Sequence, residues 1–126
     1  MRKGIEELEV YQLSMEIGEI VWNVVQKWDY FAKSAVGNNW VRSADSIAFN
    51  ISEGYGRHYY KENRQFCWIA RGSLSETKTG LQKVINRNLI SKEEQQMLTQ
   101  KIEECYPKLN NYIAYIEKMM ATQEKG

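Results

Sequence analysis

The stretch NISEGYGRHYY, residues 50–60, holds a carboxylate, two glycines, an arginine and the only histidine of the chain within six residues, 53–58. Three readings compete: a catalytic loop, a phosphate cradle, or the corner between two helices. Phosphate-binding loops combine glycines with charge, but they follow a strand, precede a helix and end in Gly-Lys-Ser/Thr or run as GxGxxG. Neither ending is present here. Upstream, Trp40, Ala44, Ile47 and Ile51 recur at steps of three and four, a helical period. The stretch therefore reads as the corner between two helices. Gly54 and Gly56 would supply the left-handed positions at which helices stop, and Glu53 would pair with Arg57 four residues on. That reading makes the fold all-α.

Working outward, Leu13, Ile17, Ile20, Val24 and Trp28 form an apolar line, with Glu6, Glu9, Glu16 and Glu19 off it. Residues 29–39 interrupt the pattern, and Gly37-Asn38-Asn39 reads as its breaker. The second helix is expected from about Trp40 to Tyr55. Small residues Ser43, Ser46 and Ala48 beside its core line allow close approach of a neighbour. The third runs from about Tyr60 to Asn86, with Phe66, Ala70, Ser73, Leu74, Thr77, Leu81 and Val84 on one face, and Asn86-Arg87-Asn88 ends it. Ser91 with Glu94 makes a capping box that opens the fourth. There Met97, Ile102, Cys105, Leu109, Ile113, Ile116 and Met120 form the buried stripe, and Pro107 should kink it. Four amphipathic helices with short joints bury a shared core most simply as an antiparallel up-down-up-down four-helix bundle, a single domain over residues 1–126.

Composition narrows the function. Apolar residues make up 43% and charged ones 26%, as in ordinary folded proteins. No apolar run reaches the roughly 18 residues a membrane span needs. The start MRKGIEELEV turns acidic where a secretory signal would turn apolar, so the cytoplasm is the expected location. Cys67 and Cys105 lack CxxC spacing and read as core hydrophobes. A di-iron bundle site needs Glu-x-x-His pairs, whereas the residue three before His58 is Tyr55. Zinc spacing is absent too. No nucleophile, base and orienting group share a motif, so no catalytic residues, cofactor or metal are assigned, and the expected protein is not an enzyme.

Net charge is +1, but it is unevenly spread. Residues 58–88 carry six basic and two acidic side chains, a local +4, whereas residues 1–31 sum to −3. At about 100° per residue, Lys61, Arg64, Trp68, Arg71, Ser75, Lys78 and Gln82 share one arc of the third helix. Glu62 and Glu76 fall outside it. Arg57 and His58 extend the positive character upstream. A row of cations around an indole suits a phosphate backbone with a stacking base. Equally, the row is an ordinary solvated face, or one neutralised by the acidic first or fourth helix. Nucleic-acid binding is thus assigned to Arg57, Lys61, Arg64, Trp68, Arg71 and Lys78. Polar residues beside the core, Arg42, Asn50, Glu53 and Glu76, are expected to form a structural network. Fifteen aromatics are many for a core of this size, and Phe49 lies off the core line, which favours a protein-interaction surface as the alternative.

RSADSIAFNISEGYGR followed by IARGSLSETKTGL resembles the signature of the four-helix-bundle family encoded in intervening sequences of bacterial 23S ribosomal RNA genes. The accessory variability proteins of diversity-generating retroelements are relatives of that family. The matching positions are Arg42, Ser46, Ile47, Asn50, Ile51, Glu53, Gly54, Gly56 and Arg57, then Ala70, Gly72, Ser73 and Glu76. LEVYQLSMEI, residues 8–17, also looks like the family's first helix. The resemblance implies a ring-like homo-oligomer, commonly a pentamer, without enzymatic activity. It further implies RNA or a reverse transcriptase as partners. Members usually carry a serine or similar cap before the third helix, where this chain has Tyr59.

Overall fold

A computed structural model describes residues 4–125; the first three residues of the MRKGIEELEV start, and Gly126, lie outside the described residues. Among the described residues there are four long helices and no strand: α1 (Glu9–Gln26), α2 (Asn38–Tyr55), α3 (Tyr60–Asn86) and α4 (Lys92–Lys125). A short 3₁₀ turn, Ile5–Glu7, precedes α1. Each helix packs chiefly against two others: α1 on α2 and α4, and α3 on α2 and α4. Their apolar stripes meet in one cluster whose fully enclosed members include Ile17, Ile47, Ile51, Leu74, Leu98, Leu109 and Ile116. Burying side chains of this size is worth roughly 1.5–3 kcal/mol each, the main favourable term in the fold. Ion pairs Lys27–Glu94, Lys101–Glu16 (2.6 Å) and Lys108–Glu9 tie α1 to α4.

Most of the expected core lines are buried, but Met97 is not. It is 42% exposed, and Leu98, one turn before Ile102, is enclosed instead. Pro107 lies on the exposed side of α4, which continues through it. There, water can meet the Glu103 carbonyl left without its helical donor.

The joint between α1 and α2 departs from expectation. The break falls at residues 27–29, whereas the expected breaker Gly37-Asn38-Asn39 lies within helix. Asp29 caps a new turn, its side chain accepting from the Ala32 N–H at 2.9 Å. The turn Tyr30–Ala32 runs into a π-helical segment, Lys33–Gly37, and that into α2. Sequence spacing explains why. In an uninterrupted α-helix, Lys33, Gly37, Trp40, Ala44, Ile47 and Ile51 would share the core line, and a lysine there would bury its ammonium without a partner. One extra residue in the π turn rotates the preceding stretch by about 100°. Ala32 is consequently buried and Lys33 lies half-buried at the rim.

At the α2–α3 corner, neither glycine adopts a left-handed backbone, and Gly56 has φ −78°. Gly54 is needed for another reason, close approach. A Cβ there would lie 2.9 Å from both the Asn63 carbonyl oxygen and Phe66 Cβ. The left-handed position occurs instead at Asn88, φ 57°, after α3. Asn88 N–H bonds Ile85 O at 3.0 Å and Leu89 N–H bonds Val84 O at 3.0 Å, a Schellman ending. The capping box then opens α4: Glu94 N–H donates to Ser91 Oγ at 3.1 Å, and Ser91 N–H donates to Glu94 Oε1 at 3.2 Å.

Candidate nucleic-acid interface

The cationic row of α3 runs along its seam with α4, and that neighbour decides how much of the charge is free. Arg64 Nη1 meets Glu117 Oε2 at 3.2 Å, and the guanidinium lies 4.6 Å from the centre of the Trp68 ring. Its Nε is buried without a hydrogen-bond partner, so this arginine is held in the seam. Lys78 Nζ sits 5.7 Å from the centre of the Tyr106 ring, whose hydroxyl shares a 2.9 Å hydrogen bond with Ser75 Oγ. Upstream, Arg57 pairs with Glu53 at 2.7 Å and Glu62 at 3.9 Å, and stacks over Phe66. The exposed pair Lys61 and Arg71 makes no ion pair with another described residue, and Trp68 is 47% exposed between them. Of six residues assigned to nucleic acid, Arg57 and Arg64 are therefore engaged by carboxylates, while Lys61, Arg71, Lys78 and Trp68 present surface. Two α4 residues that sequence spacing did not bring in, Glu117 and Tyr106, shape the row as much as its own members.

The polar residues of α2 divide as well. Ser43 Oγ donates to Glu76, Ser46 and Ser73 share a 2.7 Å hydrogen bond, and Asn50 Nδ2 donates to Ser46 O at 2.8 Å. These hydroxyls and one amide line the close α2–α3 seam. The structure brings Asn50 and Glu76 into that seam but leaves Arg42 and Glu53 outside it. Glu53 is exposed and occupied by Arg57, whereas Arg42 faces a groove between α1 and α2.

Asp45 on α2 faces α1. Partial burial pushes its carboxyl above the usual range, and Glu19 adds to the effect. The thiols are enclosed. Burial pushes Cys67 up to about 12 and Cys105 up to about 11, the latter moderated by Ser14. Cys67 contacts Asn63 Oδ1 at 3.5 Å, and His58 packs edge-on against Tyr59 at the corner. Among the described residues, no group of three or more His, Cys, Asp or Glu side chains is placed to hold a metal ion, and no helix is long and apolar enough to cross a membrane.

Among the described residues, ten large apolar side chains stand exposed, led by Tyr30 (86%), Phe31 (78%) and Phe49 (72%).

Comparison with known proteins agrees with this architecture. The fold is similar to the crystal structure of a protein with unknown function from the S23 ribosomal protein family of Bacteroides thetaiotaomicron. The TM-score is 0.68 at 20% identity, covering 85% of this chain and 96% of that one. No curated protein matches the chain. A family model described as 23S rRNA-intervening sequence protein matches residues 6–111. On that match, which takes in α1, α2, α3 and more than half of α4, the chain belongs to the 23S rRNA-intervening sequence protein family.

Proposed function

We propose that this protein is a non-enzymatic scaffold: a single antiparallel up-down-up-down bundle that joins copies of itself into a ring-like homo-oligomer, a pentamer. The pairs 27 with 94, 16 with 101 and 9 with 108 support opposite directions for α1 and α4, because one number falls as the other rises. The observation that carries the assembly reading is the exposed apolar set, above all Phe31 and Phe49. Single exposed apolar residues are ordinary, but ten on a chain of this size suit a surface that another protein covers. Two free, buried thiols favour a reducing compartment, the cytoplasm. Substituting Phe31→Asp and Phe49→Asp should shift the particle to smaller mass while leaving helical content intact. Unchanged mass in both variants would remove these residues from the interface.

A second reading rests on Lys61, Trp68 and Arg71. These cations, unpaired among the described residues and flanking a half-exposed indole, favour contact with RNA, or with a reverse transcriptase already holding it, as the resemblance to the accessory variability proteins suggests. Binding through a few phosphates should weaken steeply with salt. Lys61→Glu with Arg71→Glu should abolish retention of RNA at low salt, whereas Arg64→Glu should chiefly perturb the α3–α4 seam. Retention unaffected by the double reversal would leave the scaffold reading alone.

A further inference from the structure

A groove of about 540 Å³ opens between α1 and the start of the α2 run, and it takes in four polar side chains: Gln26, Lys33, Asn38 and Arg42. None of the four makes a side-chain hydrogen bond or ion pair to another described residue. Five cations elsewhere, Lys27, Arg57, Arg64, Lys101 and Lys108, are paired with carboxylates, and others, such as Lys61 and Arg71, are not paired among the described residues. Between the free groups stand the half-exposed Trp22 indole and an apolar floor of Val25 and Val41. The π turn is what makes the site, because it carries Lys33 off the core line and onto the groove rim.

We propose that this groove binds a nucleotide unit, its base against the Trp22 indole and its phosphate between Lys33 and Arg42. Asp29 and Asp45 lie one turn from Lys33 and Arg42 but form no ion pair with them, so the two cations still supply charge complementarity for a phosphate. The indole supplies a stacking surface for a base. Gln26 and Asn38 each offer both a donor and an acceptor, which suits the mixed edge of a base. The groove is larger than inorganic phosphate requires and falls within the usual range of small-molecule pockets, roughly 300–1,000 Å³. A free mononucleotide and one nucleotide of a single strand share this chemistry. The site uses α1 and the α2 run, not the α3 row, so its failure and the failure of the RNA reading above are distinguishable.

Fluorotryptophan labelling of the full chain gives a resonance for each of four tryptophans, and Trp22→Phe identifies the one that matters. AMP should shift the Trp22 signal saturably, with adenosine and inorganic phosphate each binding at least about tenfold more weakly. Lys33→Gln and Arg42→Gln should each weaken AMP about fivefold or more, with the other three resonances unmoved as evidence of an intact fold. A short oligoadenylate separates the sources. Much tighter binding than AMP, with the same dependence on Lys33 and Arg42, assigns the groove to a strand, and equal binding assigns it to the free nucleotide. A stationary Trp22 signal, AMP no tighter than inorganic phosphate, or full affinity in both charge-removal variants would each overturn the proposal.

Discussion

The side-chain oxygen of Gln123 accepts a hydrogen bond from the Tyr60 backbone N–H at 3.0 Å, so the end of α4 caps the start of α3. Its amide nitrogen reaches the His58 carbonyl at 3.4 Å. Tyr59, at the N-cap position, makes no side-chain cap of its own. A residue 63 positions away replaces the local serine expected of the family. Gln123→Ala should therefore cost about 1 kcal/mol, the usual value of a cap, or about 3–5 °C in Tm for a chain of this size. Tyr59→Ser in the same background should restore much of it. Urea unfolding of the single and double variants measures both effects, and additive losses would contradict the capping role.

Two glycines of α3 should respond to alanine with opposite sign. A Cβ at Gly80 would fall inside the Trp40 indole, which also donates to Thr77 O at 3.0 Å and stacks on Trp28 at 6.0 Å. Gly80→Ala should destabilise by about 1–3 kcal/mol, as overpacking does, and change the near-ultraviolet circular dichroism of the tryptophan pair. At Gly72 nothing lies within 4 Å of the added atom. Gly72→Ala should stabilise by about 0.5–1 kcal/mol through helix propensity.

Asp45 and Glu94 should give opposite pH dependences. Asp45 has its folded pKa raised above the ordinary 3.8, by burial first and Glu19 second. The folded state thus holds that proton more tightly, and its ionisation costs stability as pH rises through the raised value. Asp45→Asn should raise Tm at pH 7, with the gain shrinking toward acid. At Glu94 burial alone would raise the pKa, but hydrogen bonds from Lys27 and Ser91 prevail and lower it. Its contribution is present above the unfolded value and is lost as pH falls through the folded one. Glu94→Gln should lower Tm at pH 7, and the difference should vanish in acid. Thermal scans from pH 3 to 7, on the order of the carboxylate range, test both signs.

Cys67 and Cys105 are enclosed, with pKa values pushed up to about 12 and about 11. Since the thiolate is the reactive form, thiol reagents at pH 8 should label the native protein only through unfolding. The labelling rate should then rise with urea in step with the opening equilibrium. Prompt labelling of either cysteine without denaturant would contradict the packing described for α3 and α4.

The four apolar lines were legible because burial of one helix face imposes a 3.6-residue period, as with Trp40, Ala44, Ile47 and Ile51. Where two apolar residues adjoin, the period alone does not choose: Met97 and Leu98 both fit loosely, and the phase set by Ile102 selects Leu98. The π turn hid behind Gly37-Asn38-Asn39, residues that usually mark loops. A lysine in step with Trp40 and Ala44 was the available sign that the register had to shift. The α3 arc was legible as an arc, but the pairing of Arg64 with Glu117 depends on how α4 lies alongside. Gln123 was out of reach for the same reason, since its role exists only once α4 has returned to the α2–α3 corner.

Multi-angle light scattering on the purified protein at micromolar concentration addresses the scaffold reading most directly. A ring predicts a concentration-independent mass several times the 14.8 kDa chain, about five times for a pentamer. The exposed phenylalanines should lose their exposure within it. A mass of 14.8 kDa throughout, with Phe31 and Phe49 still open to solvent, would contradict the assembly on which the proposed function stands.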